Sequence, residues 1–111
     1  MTQVLIKAEK SAKCIEIISE GHSGYASEGE DIVCAALSSA AELVLDIFDK
    51  FCVCFDMDSN EEIPRIKLKI PLDGQNSAQA ENIRRIVAGY SQFVTDLAES
   101  YPEYTQVITE V

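Results

Sequence analysis

The sequence predicts an α+β fold in which two long helices pack on a mostly antiparallel sheet. Five segments have the composition and alternation of β-strands, and two have apolar residues at helical spacing. Their order along the chain is β-β-α-β-β-α-β. Because neighbouring strands pair as hairpins, the helices are expected to cover an antiparallel sheet rather than to alternate with parallel strands. The 111 residues fit one domain spanning 1–111.

The chain begins with a predicted hairpin and then a loop. Alternating apolar residues predict strands over 2–8 and 13–19, which are close enough in sequence to pair. Glycines then punctuate the chain, and they predict a loop between Glu20 and Glu30.

A long helix is predicted to follow the loop and to end near residue 51. Ser27 with Glu30 has the pattern of a capping box, and Asp31 is an alternative cap. The polar side chains of the helix form only a narrow stripe, so most of its surface is apolar. One sheet is not expected to cover that surface, and a second subunit is a candidate to cover the rest.

The second half of the chain repeats the strand-strand-helix order and adds a strand. Apolar residues alternate with charged ones over 65–70, which is the clearest strand signal. A helix is predicted to start at Asn76 or Ser77 and to present an apolar stripe as far as Tyr101. The two remaining predicted strands lie over 52–58 and 105–111.

Composition narrows the classes of function. The formal net charge of −10 repels nucleic acid, so direct binding of DNA or RNA is not expected, whereas a basic protein is a plausible partner. No apolar run has the roughly 20 residues that span a membrane, and the N-terminal segment does not resemble a signal peptide. The four cysteines have no disulfide-scaffold spacing. We therefore expect a cytoplasmic protein with reduced thiols and no membrane association.

His22 is the only histidine, so any imidazole chemistry belongs to it. It lies on the glycine-rich loop, twelve positions before Cys34, which is near the start of the first helix. A helix N-terminus and a neighbouring imidazolium both favour the thiolate form of cysteine. The free N–H groups of the helix start are suited to hold an oxyanion. Together these groups are the minimum for acyl transfer on a cysteine.

Two further residues share the helix face of Cys34. Asp31 and Ser38 lie three positions before it and four after it. Asp31 either orients His22 or stabilises its charged form, or it is only a first-turn acid. Ser38 either hydrogen-bonds the thiolate or holds the loop, or it only back-bonds to the helix. Tyr25, an aromatic residue in a polar loop, either anchors the closed loop or lines a substrate channel, and we favour the anchor.

Other constellations have simpler explanations. Zinc ligation by Cys14, His22, Cys52 and Cys54 lacks a second close ligand pair, so no metal site is predicted. The basic residues of the strand over 65–70 have the alternation of a solvated strand face rather than of a phosphate site.

The segment GHSGYASEGEDIVCAALS, residues 21–38, closely resembles the signature of the bacterial ribosomal-processing cysteine proteases, the Prp family. The order and length of the chain fit the same family. The signature is a glycine-histidine-x-glycine-tyrosine-alanine loop, followed by glycine-x-aspartate-x-x-cysteine-alanine-alanine entering a helix. The matching positions are Gly21, His22, Gly24, Tyr25, Ala26, Gly29, Asp31, Cys34, Ala35 and Ala36. Ser23 departs from the alanine that is more usual at its position, and Cys52 and Cys54 lie outside the signature.

The resemblance implies a homodimeric cysteine endopeptidase that needs no metal or cofactor. It implies that the enzyme removes the N-terminal extension of a basic large-subunit ribosomal protein, cleaving after an aromatic residue. Cys34 takes the position of the nucleophile and His22 that of the base. Gly21 takes the position of the loop hinge, and Gly24 and Gly29 add freedom for opening and closing. The alternative is a non-catalytic homodimeric ribosome-assembly or interaction module in which the cysteine is structural.

Overall fold

The computed structural model describes residues 2–21, 28–60 and 65–110, and within them the order of elements is the predicted one. The five strands and two helices are β1 (Thr2–Lys7), β2 (Cys14–Gly21), α1 (Glu28–Lys50), β3 (Asp56–Asn60), β4 (Arg65–Pro71), α2 (Ser77–Ser100) and β5 (Thr105–Glu110).

The strands form one sheet in the order β3-β4-β2-β1-β5. Three of the four strand pairs are antiparallel, and only β1 with β5 is parallel. The predicted α+β class with a mostly antiparallel sheet is therefore confirmed. In the β1–β2 hairpin, Thr2 lies opposite Gly21 and Ile6 opposite Ile17. This register places the start of β1 beside the end of β2, where the chain leaves the sheet toward α1.

One face of the sheet carries the core. Side chains from β1, β2 and β4 on this face are buried against the two helices. Both helices contribute buried apolar residues to the same cluster, and the helices contact each other. Neither helix has an apolar stretch long enough to span a membrane. The strand residues of the cluster are Val4, Ile6, Ile15, Ile17, Leu68 and Ile70, and the helix residues are Val33, Leu37, Val44, Phe48, Ile83, Val87, Tyr90 and Val94.

The opposite face of the sheet is charged. Glu16 on β2 lies 4.0 Å from the ammonium of Lys7 and 3.8 Å from that of Lys69, on the two neighbouring strands. All three side chains are partly or fully exposed, so these pairs contribute little to the free energy of unfolding. Their effect is to mark this face as the solvated one.

Polar contacts fix the N-terminal part of α2. The helix begins at Ser77, one of the two predicted starts, and Asn76 is its N-cap, whose side-chain oxygen accepts a 2.8 Å hydrogen bond from the N–H of Gln79. The amide of Gln79 donates to the carbonyl of Phe51, just beyond the end of α1. One turn further on, the guanidinium of Arg84 donates to three carbonyls of the β1–β2 turn, those of Ala8, Glu9 and Lys10.

Several predicted boundaries are wrong. The strand predicted over 52–58 begins only at Asp56, because the residues before it complete the end of α1. Since α1 begins at Glu28, Asp31 lies inside the helix and is not its cap. Gly29 lies in the first turn of α1 rather than in the loop. The capping-box residue Ser27 lies outside the described residues.

Candidate active site

Cys34 lies in the second turn of α1 and is half-buried. It is six residues beyond Glu28, which is about 9 Å along a helix axis. The free N–H groups of a helix start belong to its first turn, and the favourable effect of the macrodipole on an anion falls off over that turn. The start of α1 therefore acts on Cys34 only weakly.

The hydroxyl of Thr2 is the described hydrogen-bonding partner of the Cys34 thiol. Thr2 Oγ1 lies 3.8 Å from Cys34 Sγ, and either atom can donate. The backbone of Thr2 is held from the β5 side, because its N–H donates to the carbonyl of Tyr104 and its carbonyl accepts from the hydroxyl of Thr105. Thr2 is only 7% exposed, so its hydroxyl is a fixed, nearly dry neighbour of the thiol.

Gly21 is the last residue of β2 and lies directly opposite Thr2. A Cβ atom added at Gly21 would lie 2.7 Å from both Cα and Cβ of Thr2, and would also overlap the Thr2 hydroxyl. Glycine is therefore required here by the close approach of β1. His22 is the next residue after Gly21, so the predicted base follows directly in the chain from the residue that lies opposite Thr2.

Three residues of the predicted site lie on one helix. Asp31, Cys34 and Ser38 are three and four residues apart within α1. Ser38 is exposed, and no hydrogen bond joins it to Cys34 among the described side chains. His22, Gly24 and Tyr25 lie outside the described residues, so their predicted roles stay predictions.

The other three cysteines have different surroundings. Cys52 and Cys54 are exposed, and Cys14 is half-buried with its thiol donating to the carbonyl of Ile15. Two cysteines are therefore more accessible to solvent than Cys34. Accessibility alone would not make Cys34 the most reactive thiol of this chain.

Thr2 was not among the residues predicted to form the site. A signal for it was present in the hairpin, because an antiparallel pair keeps the sum of its residue numbers constant. Pairing of Ile6 with Ile17 implies pairing of Thr2 with Gly21, the residue before His22. The sequence does not specify this register, since a shift of the pairing by two residues keeps the same side chains on each face of the hairpin.

Comparisons with known proteins give one family and several solved structures. The family model described as "Cysteine protease Prp" matches residues 1–106. No curated protein matches the sequence.

Among solved structures, an essential ribosomal processing protease, Prp, from S. aureus is similar in two states. Its complex with a substrate peptide is 16% identical, with a TM-score of 0.81, and the match covers 99% of this chain and 100% of that one. Its complex with a covalently linked product peptide is 19% identical, with a TM-score of 0.77 and the same coverage. A protein from Streptococcus mutans is 24% identical, with a TM-score of 0.71, covering 99% of this chain and 94% of that one. These structures confirm the fold, and the family match extends over nearly the whole chain. The chain therefore belongs to the ribosomal-processing cysteine protease family Prp.

Proposed function

We propose that this cysteine protease removes the N-terminal extension of a basic large-subunit ribosomal protein, cleaving after an aromatic residue, with Cys34 as nucleophile and His22 as base. The observation that carries the proposal is the position of Cys34. Its thiol meets Thr2 at the end of β2, and the next residue after that end is His22. The family match over residues 1–106 supplies the class of reaction.

The proposed reaction follows from the groups at this end of the sheet. The Cys34 thiol gives its proton to His22, and the thiolate attacks the scissile carbonyl. We expect free N–H groups at the start of α1 to hold the tetrahedral oxyanion. His22 returns the proton to the leaving amine, which departs with the downstream peptide. Water then attacks the acyl-enzyme and releases the extension with a new carboxylate.

Other residues of the site have supporting parts in the proposal. Asp31, on the same helix face as Cys34, is suited to orient His22 or to stabilise its charged form. Ser38 lies one turn beyond Cys34 and is exposed, and its part in the proposal is to hold the loop. Gly21 and Gly24 give the loop its freedom, and Tyr25 anchors the closed loop.

An apolar surface on the helix-covered face of the sheet supports a hydrophobic peptide as substrate. Met57 on β3 is 54% exposed and Ile66 on β4 is 37% exposed. Pairing of Met57 with the buried Leu68 places both on the face that carries the core. Ile66 lies two strands from β1, a distance of about 10 Å across the sheet, and it is in the row of Val4, two residues from Thr2. Aromatic and aliphatic side chains near the cleavage point would find apolar contacts there.

The charge of the chain supports a basic partner. A net charge of −10 attracts a cationic ribosomal protein over long range and raises the rate of encounter. We place the reaction in the cytoplasm, where ribosomal proteins are made and where thiols stay reduced. No metal or cofactor has a part in the proposed steps.

The outer surface of the helices supports the proposed homodimer. Leu43 on α1 is 60% exposed and Phe93 on α2 is 48% exposed, although both helices bury their other faces. Ile32, near the start of α1, is also 55% exposed. Where exposed apolar side chains form a contiguous patch, the patch is typical of a surface that a partner covers. A second copy of the chain would cover the apolar surface that one sheet leaves open.

A peptide carrying the ribosomal extension, followed by basic residues, tests the proposal. We expect the wild type to cut it once after an aromatic residue, and Cys34→Ala and His22→Ala to leave it intact.

Site-resolved alkylation by mass spectrometry tests the thiol directly. Below pH 8, Cys34 should react faster than the more exposed Cys52 and Cys54, because activation and not accessibility sets the rate. Cleavage by Cys34→Ala would overturn the mechanism, and an intact peptide with the wild type would overturn the substrate. Cys52→Ser is the control, and it should cut at the wild-type rate.

The alternative, a non-catalytic interaction module with a structural cysteine, makes the opposite prediction. The half-buried Cys34 would then react no faster than the exposed cysteines. Binding of the peptide without cleavage, together with that order of reactivity, would favour the module.

A further inference from the structure

We propose that Thr2 is a positioning residue for the nucleophile: its hydroxyl donates a hydrogen bond to the Cys34 thiolate and stabilises that form. The inference deepens the proposed function and rests on it for the role of Cys34. The observation behind it is the juxtaposition of the start of β1 with the second turn of α1, where Thr2 Oγ1 and Cys34 Sγ are 3.8 Å apart.

The hydroxyl is held in place before any substrate binds. Both backbone hydrogen bonds of Thr2 go to the β5 side of the sheet, to Tyr104 and Thr105. On its other side, the side chain packs against Gly21, where no other residue type would leave it room. Threonine is branched at Cβ, so few rotamers are open to it. The Thr2 side chain therefore loses little conformational entropy when its hydroxyl donates to the thiolate.

The contact changes character when the thiol loses its proton. When the thiol is neutral, either Thr2 Oγ1 or Cys34 Sγ can donate the proton of the hydrogen bond, and neither arrangement is strongly preferred. The thiolate has no proton to give, so Thr2 is then the only possible donor of the pair. A hydrogen bond to the charged form of a group favours that form. The contact thus stabilises the state of Cys34 that attacks the substrate more than the state that does not.

The position of Cys34 leaves a need for such a donor. The first turn of α1 begins six residues before Cys34, where its dipole acts on the sulfur only weakly. Thr2 belongs to β1, and the pairing of β1 with β2 and β5 holds it in the sheet beside Cys34.

The test compares Thr2→Val, which keeps the shape and removes the hydroxyl, with Thr2→Ser, which keeps the hydroxyl. The rate of Cys34 alkylation is measured from pH 5 to pH 10, with peptide mapping to separate Cys34 from the other three thiols. For Thr2→Val we expect the midpoint of the profile to rise by about half to one pH unit, so that Cys34 reacts about two- to fourfold more slowly at neutral pH once the higher nucleophilicity of the more basic thiolate is included. Thr2→Ser should stay close to the wild type.

The plateau at high pH separates an electronic role from a structural one. A thiolate that loses a stabilising hydrogen bond becomes a better nucleophile, so the plateau of Thr2→Val should equal or exceed that of the wild type. A merely structural role would lower the rate at every pH without moving the midpoint, and that result would overturn the proposal. An unchanged profile would overturn it as well. Thermal unfolding checks that the variants fold, and Thr2→Ala, which also lacks the hydroxyl, serves if Thr2→Val does not.

Peptide cleavage measured on the same variants keeps the two proposals distinguishable. The cleavage rate of Thr2→Val should fall at neutral pH and recover as the pH rises, with a larger effect on kcat than on KM. If the wild type cuts the peptide and the alkylation profile does not depend on Thr2, the role of Thr2 is wrong and the proposed function stands. If the profile shifts but the wild type does not cut, the role of Thr2 as thiolate donor stands and the proposed substrate is wrong.

Discussion

At the scale of single residues, Gly21 sets the geometry of the site by having no side chain. Thr2 occupies the space that a Cβ of residue 21 would take, and in this position its hydroxyl lies 3.8 Å from the Cys34 thiol. The resemblance predicted Gly21 as a loop hinge, which concerns the backbone beyond β2. The structure adds a steric reason for glycine that does not depend on hinge motion.

We expect Gly21→Ala to lower the free energy of unfolding by about 1–3 kcal/mol, because the new methyl group forces β1 and β2 apart at Thr2. Gly89→Ala is the matched control. Gly89 lies in α2, where an added Cβ meets nothing within 4 Å, so this change should stabilise the protein by about 0.5–1 kcal/mol through helix propensity. Urea unfolding of both variants measures the difference. Equal effects of the same sign would refute the steric explanation for Gly21.

The residues of the site differ in how far the sequence predicts them. His22 and Cys34 stand out because the chain has one histidine and because the signature around them is long. Thr2 belongs to no motif, and its contact with Cys34 exists only because the hairpin register and the path of α1 bring residues 32 positions apart together. Local patterns carry no information about such a contact.

At the scale of elements, the end of α1 shows why the third strand was predicted too early. The N–H of Val53 donates to the carbonyl of Phe48, and that of Cys52 to the carbonyl of Asp49, which is the Schellman pattern of a helix C-terminus. Val53 and Phe48 are both buried, so they supply the hydrophobic contact that accompanies this pattern. Cys52 takes the left-handed position with φ 56°, where glycine is usual. Because no glycine marks the stop, the apolar alternation after residue 51 had the appearance of a strand.

Cys52→Gly should therefore stabilise the protein by about 1 kcal/mol, since a non-glycine residue in the left-handed region costs about 1–2 kcal/mol and part of that gain is lost to the entropy of the unfolded chain. Cys54→Gly is the control: Cys54 is also exposed but does not have a positive φ, so glycine there should destabilise by about 0.5–1 kcal/mol. Thermal unfolding under reducing conditions measures both. A destabilised Cys52→Gly would contradict the proposed strain.

At the scale of the whole molecule, the order and class of the fold were predictable and the neighbours in the sheet were not. Alternation assigns side chains to faces, so the buried residues of β1 and β4 follow from sequence. The place of β5 beside β1, and its parallel direction, depend on how α2 crosses the sheet before the chain returns. The path of α2 depends on how both helices pack together in one layer on the sheet, and the sequence of a single segment does not specify this packing.

The layer between helices and sheet also makes the stability of the molecule depend on alkaline pH. Tyr90 on α2 is 6% exposed, and burial raises the pKa of Tyr90 from 10.0 to about 12. The unfolded chain ionises this phenol at lower pH than the native protein does, so the unfolded state holds fewer protons and stability falls as pH rises from about 10 to 12. The loss that belongs to Tyr90 is at most about 2–3 kcal/mol.

Tyr90→Phe should remove that part of the alkaline loss, because phenylalanine has no proton to release in either state. Urea unfolding at pH 8 and pH 11 measures the change, and the decrease between the two should be smaller for the variant than for the wild type. Tyr101→Phe, at a half-buried tyrosine just beyond α2, controls for the loss of one phenol and should keep most of the wild-type decrease. If the free energy of unfolding falls by the same amount between pH 8 and pH 11 for both variants and the wild type, ionisation of Tyr90 does not cause the loss of stability at high pH. A smaller decrease in the free energy of unfolding for Tyr90→Phe alone would show that the loss of stability at high pH arises in the core between the two helices and the sheet.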